Sequence, residues 1–269
     1  MAVTHIPGNM SDLLNTAIKA AHAAGDIILQ NFGDRTHTFK DDARANVVTA
    51  TDIAAEQAIF DILKTEHPDH GFFSEEAGHA PSPSAYTWVI DPLDGTTNFI
   101  HGIRFVCVSI ALQHESDVLL GVIYDPLHQE LFTAELNAGA ACNHQPIRVG
   151  ATAELLQTVL SINRSPEQKS RRRFSESLSH LTANTRTPRI IGSVALSLAY
   201  VACGRIDAFV GFETKYYDAA AGTLIAREAG AAISDFADRA WQPGIAKSAD
   251  LLVANKTIHP QLRQRLTAA

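Results

Sequence analysis

Residues 88–99 contain side chains that can bind a metal ion or act on a phosphate group. Asp91 and Asp94 follow a short apolar run that is typical of a buried strand. Ligand sites in α/β sheets gather at the ends of strands. The proline between the two aspartates restricts the backbone, and the Gly-Thr-Thr that follows would present amide N–H groups to an anion if a helix begins there. The segment therefore predicts a site for cations, for phosphate, or for both.

The segment Asp-Pro-Leu-Asp-Gly is also consistent with a simple turn. Acidic residues elsewhere in the chain help to decide between a turn and a binding site. Asp52, the pair Glu75 and Glu76, and Asp218 each stand where a strand is predicted to end or a helix to begin. Taken singly, each is consistent with a helix cap or a solvated acid. Together they favour a site, because close like charges are costly unless cations neutralise them. Since no His or Cys pair has ligand spacing, the carboxylates predict a hard cation, Mg²⁺ or Mn²⁺.

The order of helices and strands predicts how these residues are positioned. A helix capped by Ser11 is followed by mixed helices and strands up to about residue 150. Strands then alternate with helices, and one strand is predicted at residues 189–193. This order is typical of a layered α/β protein with two sheets. We expect one unit over residues 1–269, with subdomains at about 11–150 and 151–269.

The composition of the 269 residues disfavours several classes of function. With 46% hydrophobic residues the chain can bury a substantial core, and its net charge of −7 disfavours nucleic-acid binding. We see no leader segment and no apolar run long enough for a membrane helix. Cys107, Cys142 and Cys203 have no pairing pattern and indicate a reducing compartment. A cytoplasmic protein without nucleic-acid or membrane partners is expected.

Four motifs resemble those of the inositol monophosphatase family and occur in the same order. They are Val48-Thr-Ala-Thr-Asp52, Glu75-Glu76, Asp91-Pro-Leu-Asp-Gly-Thr-Thr-Asn-Phe99 and Asp218-Ala-Ala-Ala-Gly222. The resemblance extends from about Leu13 to about Val253. It implies an α-β-α-β-α sandwich with two sheets and a lithium-sensitive, Mg²⁺-dependent phosphatase that is commonly a homodimer.

The resemblance also implies a set of metal ligands. Glu75, Asp91 and the backbone carbonyl of Leu93 would hold a first ion. Asp91, Asp94 and Asp218 would hold a second, with Asp91 bridging the two. Glu75 would also support a weaker third ion through water. Two or three Mg²⁺ ions are therefore implied, and Mn²⁺ is an alternative.

Catalytic and phosphate-binding roles follow from the same resemblance. Thr96, hydrogen-bonded to Asp52, would position and deprotonate the attacking water, and Glu75 would assist. The amides of Gly95 and Thr96 would cradle the phosphate. Glu76 is left without an assigned role.

The substrate side departs from the family pattern. Members that act on inositol phosphate usually carry a glutamate seven residues before the aspartate that is Asp218 here, and this chain has Gly211 at that position. Glu213 is a candidate replacement and Ser193 a candidate ligand for a substrate hydroxyl, although Ser193 is equally consistent with a helix cap. Gly95, Thr96, Ser193, Glu213 and Asp218 are the expected substrate-binding residues.

Two smaller departures accompany this one. Tyr217 replaces a usual tryptophan, and Lys40 precedes a predicted mobile loop whose length differs slightly from the family pattern, so its approach to the metal region is left open.

The leading hypothesis is hydrolysis of inositol monophosphate or of a related small sugar or polyol phosphate by metal-activated water. Histidinol phosphate, fructose 1,6-bisphosphate and 3'-phosphoadenosine 5'-phosphate are alternative substrates, since relatives use them. A non-catalytic or moonlighting binding protein on the same fold is the alternative of another class.

Overall fold

The computed structural model describes residues 10–40, 46–164, 168–241, 244 and 247–267. The helices are α1 (Met10–Asn31), α2 (Ala50–Glu66), α3 (Thr96–His101), α4 (Gln168–Asn184), α5 (Val194–Ala202), α6 (Tyr216–Glu228) and α7 (His259–Thr267), with a 3₁₀ turn at Leu155–Gln157. The strands are β1 (Thr38–Phe39), β2 (Val47–Val48), β3 (Gly71–Ser74), β4 (Gly78–Ala80), β5 (Tyr86–Asp94), β6 (Cys107–His114), β7 (Asp117–Asp125), β8 (Glu130–Glu135), β9 (Gly139–Cys142), β10 (Gln145–Pro146), β11 (Val159–Arg164), β12 (Thr187–Arg189), β13 (Ala208–Lys215), β14 (Ala231–Ser234) and β15 (Ser248–Asn255).

The larger sheet has eight strands in the order β10-β9-β8-β7-β6-β5-β3-β4. Its neighbours are antiparallel except for β3 and β5, which run parallel. Helices α1 and α2 pack on one face of this sheet. Apolar residues of the two helices, including Ile28 and Ile59, form a core with alternate residues of the strands, including Trp88 and Ile110.

The smaller sheet has five strands in the order β12-β11-β13-β15-β14. Strand β11 runs parallel to β12 and β13, whereas β15 is antiparallel to β13 and β14. Helices α4 and α7 cover its outer face, with Phe174, Phe212 and Leu262 in the core between them.

Helices α5 and α6 lie between the two sheets and pack against both. Two glycines permit this close packing. A Cβ on Gly121 of β7 would lie 2.8 Å from the Ala221 carbonyl oxygen of α6, and one on Gly222 would lie 2.7 Å from Leu198 Cβ of α5. The five layers are helices, sheet, helices, sheet and helices, which confirms the expected α-β-α-β-α fold with two main sheets. Strands β1 and β2 form a separate two-stranded antiparallel sheet.

Several local predictions need correction. Helix α1 already includes Met10, so Ser11 lies inside the helix and does not cap it. Asp91 and Asp94 lie within β5, because pairing with β6 resumes beyond an irregularity between them and joins Asp94 to Cys107.

The strand predicted at residues 189–193 is also wrong in its bounds, since β12 ends at Arg189. The side chain of Asn98 donates a hydrogen bond to the Ile191 carbonyl, and Gly192 has a φ of 83°, so this segment turns instead of extending.

Three further expectations concern membrane-spanning helices, the cysteines and the loop after Lys40. The described residues include no helix with the length and apolarity needed to cross a membrane. All three cysteines are free. The loop predicted to be mobile after Lys40 falls largely on residues 41–45, outside the described residues.

Candidate functional site

A cavity of about 190 Å³ opens where the two sheets and α6 meet, and it contains most of the site residues expected from the sequence. Its lining comprises Asn46, Val47, Glu75, Asp91, Leu93, Asp94, Gly95, Thr96, Thr97, Asn163, Arg164, Gly192, Val194, Phe212, Glu213, Thr214, Lys215 and Asp218. The four acids Glu75, Asp91, Asp94 and Asp218 come from the larger sheet and α6. Residues 163–164 and 212–215, which include Glu213, come from the ends of β11 and β13 in the smaller sheet.

Strand pairing brings the acids together. Because β3 and β5 are parallel with Ser74 beside Ile90, the next residue of each segment, Glu75 after β3 and Asp91 within β5, reaches the same level of the sheet. The Glu75 amide donates to the Ile90 carbonyl at 3.2 Å. Asp218 approaches from the first turn of α6. The sequence prediction that separate acidic segments converge agrees with this geometry.

The carboxyl groups repel one another in the absence of a bound cation. Burial raises the pKa of Asp91 well above its usual range, and the charges of Glu75, Asp94 and Asp218 raise it further. Burial also raises the pKa of Asp94 to about 7, against hydrogen bonds that lower it. The pKa of Asp218 is raised well above its usual value by burial and then by Asp94 and Glu75. A group of buried acids with mutually raised pKa values is one that a cation would stabilise.

Protein donors hold the two aspartates of β5. Asp94 Oδ2 accepts hydrogen bonds from Ser193 Oγ at 2.5 Å and from the Ala195 amide at 2.6 Å. Asp91 Oδ1 accepts from the Leu93 amide at 3.1 Å. These bonds fix one oxygen of each carboxylate, so the aspartates are positioned by the fold itself.

Lys40 supplies a positive charge at the edge of the cluster. Its ammonium group lies 2.8 Å from Glu75 Oε1 and also contacts Glu76. Burial raises the pKa of Glu76 to about 7, although Lys40 opposes this effect. The open question of whether Lys40 reaches the acidic region is thereby answered, since it contacts Glu75 directly.

The donor set suits a hard cation in its chemistry. Its members are carboxylate oxygens and the Leu93 carbonyl, which are the ligand types that Mg²⁺ prefers. In their present conformations, no three His, Cys, Asp or Glu side chains of the described residues are arranged to hold an ion. Glu75 is paired with Lys40 through Oε1, and Asp94 with Ser193 through Oδ2.

Thr96 and Asp52 lie beside this cluster. The Thr96 hydroxyl is 3.1 Å from Asp52 Oδ1 and 3.2 Å from the Leu93 carbonyl oxygen. Asp52 Oδ2 accepts from the amide of Thr49 at 2.8 Å and from its hydroxyl at 2.5 Å. Burial raises the pKa of Asp52, while the bonds from Thr49 and Thr96 lower it. Asp52 is thus a buried acceptor aimed at a hydroxyl on the cavity wall.

Thr49 had no assigned role in the sequence analysis. It is the N-cap of α2 and forms a reciprocal capping box with Asp52. The spacing Thr-x-x-Asp is the signal that predicts such a cap.

Gly95 shapes the start of α3. It is the N-cap, with a φ of 96°, and no side chain caps the amides of this turn. A Cβ at this position would lie 2.9 Å from the Phe105 carbonyl oxygen, so only glycine fits. The uncapped amides beside Thr96 can receive an anionic oxygen.

The opposite wall combines both signs of charge. Glu213, Lys215 and Arg164 line it together with Asn163. Gly211 cannot carry a side chain here, because its Cβ would lie 2.1 Å from Thr214 Oγ1. Glu213 is therefore the acid that this wall presents, and Lys215 and Arg164 are residues that sequence reasoning missed, since no motif marks them.

Ser193 and Tyr217 are in contact with other protein groups. The Ser193 hydroxyl caps α5 by accepting from the Leu196 amide at 3.2 Å while donating to Asp94. Ser193 is buried and does not line the cavity, which matches the capping alternative. Tyr217 packs on Phe73 at a ring distance of 5.8 Å.

Comparisons with known proteins give consistent similarities. A family model described as the inositol monophosphatase family matches residues 9–269. A Nus factor SuhB of Xylella fastidiosa is 40% identical over 226 residues, which are 83% of this chain and 82% of that protein. Inositol monophosphatase 3 of Solanum lycopersicum is 38% identical over 237 residues, 85% of this chain and 87% of that protein.

Solved structures show the same relationship in three dimensions. The extragenic suppressor protein suhB from Bartonella henselae has a TM-score of 0.88 at 33% identity, over 95% of this chain and 98% of that one. An inositol monophosphatase from Anabaena has a TM-score of 0.86 at 33% identity, over 97% and 98% of the two chains.

Proposed function

Because the chain belongs to the inositol monophosphatase family of phosphatases, we propose that it hydrolyses inositol monophosphate or a related small sugar or polyol phosphate with the help of Mg²⁺. The observation that carries the proposal is the convergence of Glu75, Asp91, Asp94 and Asp218 on one cavity beside the Thr96–Asp52 hydrogen bond.

We assign the cation ligands as follows. Glu75, Asp91 and the Leu93 carbonyl would hold one ion, and Asp91, Asp94 and Asp218 a second, with Glu75 supporting a third through water. Bound divalent cations would supply charge neutralisation for the phosphoryl oxygens and would acidify water. The raised pKa values of the aspartates support this assignment, because the site favours added positive charge.

The protein's own residues then handle the proton and the phosphate. The Thr96 hydroxyl can accept a proton from the attacking water while its own proton passes to Asp52 Oδ1, 3.1 Å away. The bond from the water oxygen to phosphorus forms as the ester P–O bond breaks, and the leaving oxygen takes up a proton from solvent. The amides of Gly95 and Thr96 would bind the phosphoryl oxygens, since no side chain caps them. Glu75, which also lines the cavity, is the third residue that we assign to catalysis.

Substrate recognition falls to the wall from the smaller sheet. Glu213 would accept hydrogen bonds from substrate hydroxyls in place of the acid that Gly211 cannot provide. Lys215 and Arg164 add positive charge that favours an anionic substrate. Histidinol phosphate, fructose 1,6-bisphosphate and 3'-phosphoadenosine 5'-phosphate are the alternatives within the same chemistry.

Phosphate release from a panel of these esters, with Mg²⁺ or Mn²⁺, tests the proposal. Asp91→Asn should abolish phosphate release while the protein stays folded. Asp61→Asn, at an exposed position of α2, should release phosphate at the wild-type rate. Near-normal turnover by Asp91→Asn would contradict the metal assignment. We further propose inhibition by millimolar lithium, a homodimer and a cytoplasmic location, to be checked by kinetics, light scattering and cell fractionation.

A second candidate function is a binding role on the same fold. Its support is the name Nus factor that several similar proteins carry. If no ester in the panel releases phosphate, this candidate is favoured over the enzyme.

A further inference from the structure

Glu213 has an unusual backbone conformation for a residue inside a strand. Its φ is 54°, in the left-handed region that a side chain with a Cβ rarely adopts. The pairing of β13 with β15 shifts register between Gly211 and Thr214, so Glu213 sits in a bulge. Bulges re-aim side chains next to binding sites, and here the bulged residue lines the cavity. Such a conformation persists only when neighbouring groups hold it.

Two residues of β15 bind Glu213, one at its side-chain carboxylate and the other at its backbone amide. Ser248 Oγ donates to Glu213 Oε2 at 3.0 Å, which orients the carboxylate. Asp250 Oδ1 accepts from the Glu213 amide at 3.3 Å, which satisfies a donor that the bulge removes from the sheet ladder. Ser248 and Asp250 are two residues apart and therefore point to the same face of the strand.

Asp250 is itself fixed by a cation from another element. Arg173 lies on α4. Its Nη2 is 2.5 Å from Asp250 Oδ2, and its Nη1 is 3.4 Å from Asp250 Oδ1. The same guanidinium stacks over the buried ring of Phe212 at 5.5 Å from its centroid. Because a two-pronged contact of this kind restricts orientation, Asp250 presents its acceptor to the Glu213 amide in one geometry.

We infer that Ser248 and Asp250, with Asp250 held by Arg173, are positioning residues that set substrate specificity by aiming the Glu213 carboxylate at the hydroxyl groups of the substrate. This inference rests on the proposed function, in which Glu213 recognises those hydroxyls. A carboxylate has about four acceptor positions, so the bond from Ser248 is compatible with further bonds to a ligand. The three residues lie outside the cavity lining and are not catalytic.

Kinetics on two substrates test this inference. Myo-inositol 1-phosphate carries hydroxyls, whereas p-nitrophenyl phosphate presents none. Ser248→Ala and Asp250→Ala should each raise the KM for inositol 1-phosphate about tenfold, as expected for a lost bond to a charged group, with kcat within about twofold. The KM for p-nitrophenyl phosphate should stay unchanged. Asp250→Asn retains an acceptor oxygen and should recover most of the affinity that Asp250→Ala loses. Ser175→Ala, at an exposed position of α4, is the matched serine control.

A double-mutant comparison separates positioning from a general structural effect. In a Glu213→Gln background, which raises the KM for inositol 1-phosphate by itself, adding Ser248→Ala should cause little further change. Additive effects, or equal KM increases on both substrates, would overturn the inference. So would wild-type KM values in Ser248→Ala and Asp250→Ala when Glu213→Gln is impaired.

The proposed function can fail separately. If the wild type does not hydrolyse inositol 1-phosphate, or if Glu213→Gln keeps the wild-type KM, hydroxyl recognition by Glu213 is wrong and the positioning role falls with it. Continued hydrolysis of p-nitrophenyl phosphate in that case would show that the phosphatase chemistry itself is intact.

Discussion

The Thr96 hydroxyl lies 3.1 Å from Asp52 Oδ1, although 44 positions separate the two residues in the sequence. The capping box of α2 holds the other carboxylate oxygen of Asp52, so the helix start that Thr49 and Asp52 build also aims Asp52 at the cavity wall. A local capping interaction therefore fixes the geometry of a long-range pair.

Removal of the Thr96 hydroxyl should slow the chemical step. Thr96→Val keeps the shape of the side chain but cannot relay a proton, so we expect kcat for phosphate release to fall about 10²- to 10³-fold with a small change in KM. Thr96→Ser keeps the hydroxyl and should lose less than about tenfold. Thr65→Val removes an exposed hydroxyl on α2, outside the cavity lining, and should leave kcat unchanged. A wild-type kcat in Thr96→Val would rule out the relay.

Mg²⁺ should stabilise the folded protein, because it neutralises acids whose charges repel one another. At a concentration of 100 Kd the free energy of unfolding should rise by about 2.7 kcal/mol, measured by urea denaturation with MgCl₂ against EDTA. Asp218→Asn should lose most of this gain, whereas the exposed Asp61→Asn should keep it. An unfolding midpoint that MgCl₂ does not move in the wild type would contradict the cation site.

Ser193→Ala should reduce stability more than it changes substrate choice. The substitution removes the N-cap of α5 and one of the donors to Asp94, so the free energy of unfolding should fall by about 1–2 kcal/mol. Ser179→Ala, at an exposed position of α4, is the control for losing a serine hydroxyl. Unchanged stability together with a KM increase confined to inositol 1-phosphate would instead identify Ser193 as a substrate ligand.

His70 should make the protein sensitive to mild acid. The pKa of His70 is lowered to about 4, mainly by burial and then by the charge of His67, while Asp69 opposes the shift. His70 stacks between the rings of His67 and Tyr86, and Trp88 and His114 lie against the same group. Between pH 6.5 and pH 4 the unfolded chain binds more protons than the folded one, so this contribution to stability declines as the pH falls.

The variant His70→Phe keeps a stacking ring but cannot be protonated. Its urea midpoint should therefore fall less between pH 7 and pH 5 than that of the wild type. His79→Gln, at an exposed histidine, should follow the wild-type curve. Identical declines in wild type and His70→Phe would show that other groups account for the acid sensitivity.

The clustering of the acids is predictable from the sequence because its signals are local. Glu75 follows an apolar strand, Asp91 directly follows the apolar residues of another, and Asp218 lies in the first turn of an apolar helix, so their approximate positions are readable from the pattern. Their convergence then follows from the parallel pairing of β3 with β5 and from α6 packing on the larger sheet.

The substrate wall is not readable in the same way. The left-handed conformation of Glu213 depends on the register shift between β13 and β15, whose residues are far apart in the sequence. The apolar residues before Ser193 fit a strand pattern, yet β12 ends at Arg189 and the Asn98 side chain donates to the Ile191 carbonyl. Both outcomes are set by tertiary contacts that override local preference.

The division of the cavity between two sheets has a consequence for how this protein can diversify. The acids and Thr96 belong to the larger sheet, α3 and α6, whereas Asn163, Arg164 and the segment around Glu213 belong to the smaller sheet. If the proposed roles hold, insertions or exchanges in the bulge of β13 would change which alcohol is accepted and would leave the residues assigned to phosphate binding intact. Under the proposed function, a change confined to β13, the strand that pairs with β15, would be enough to redirect such an enzyme to a different alcohol.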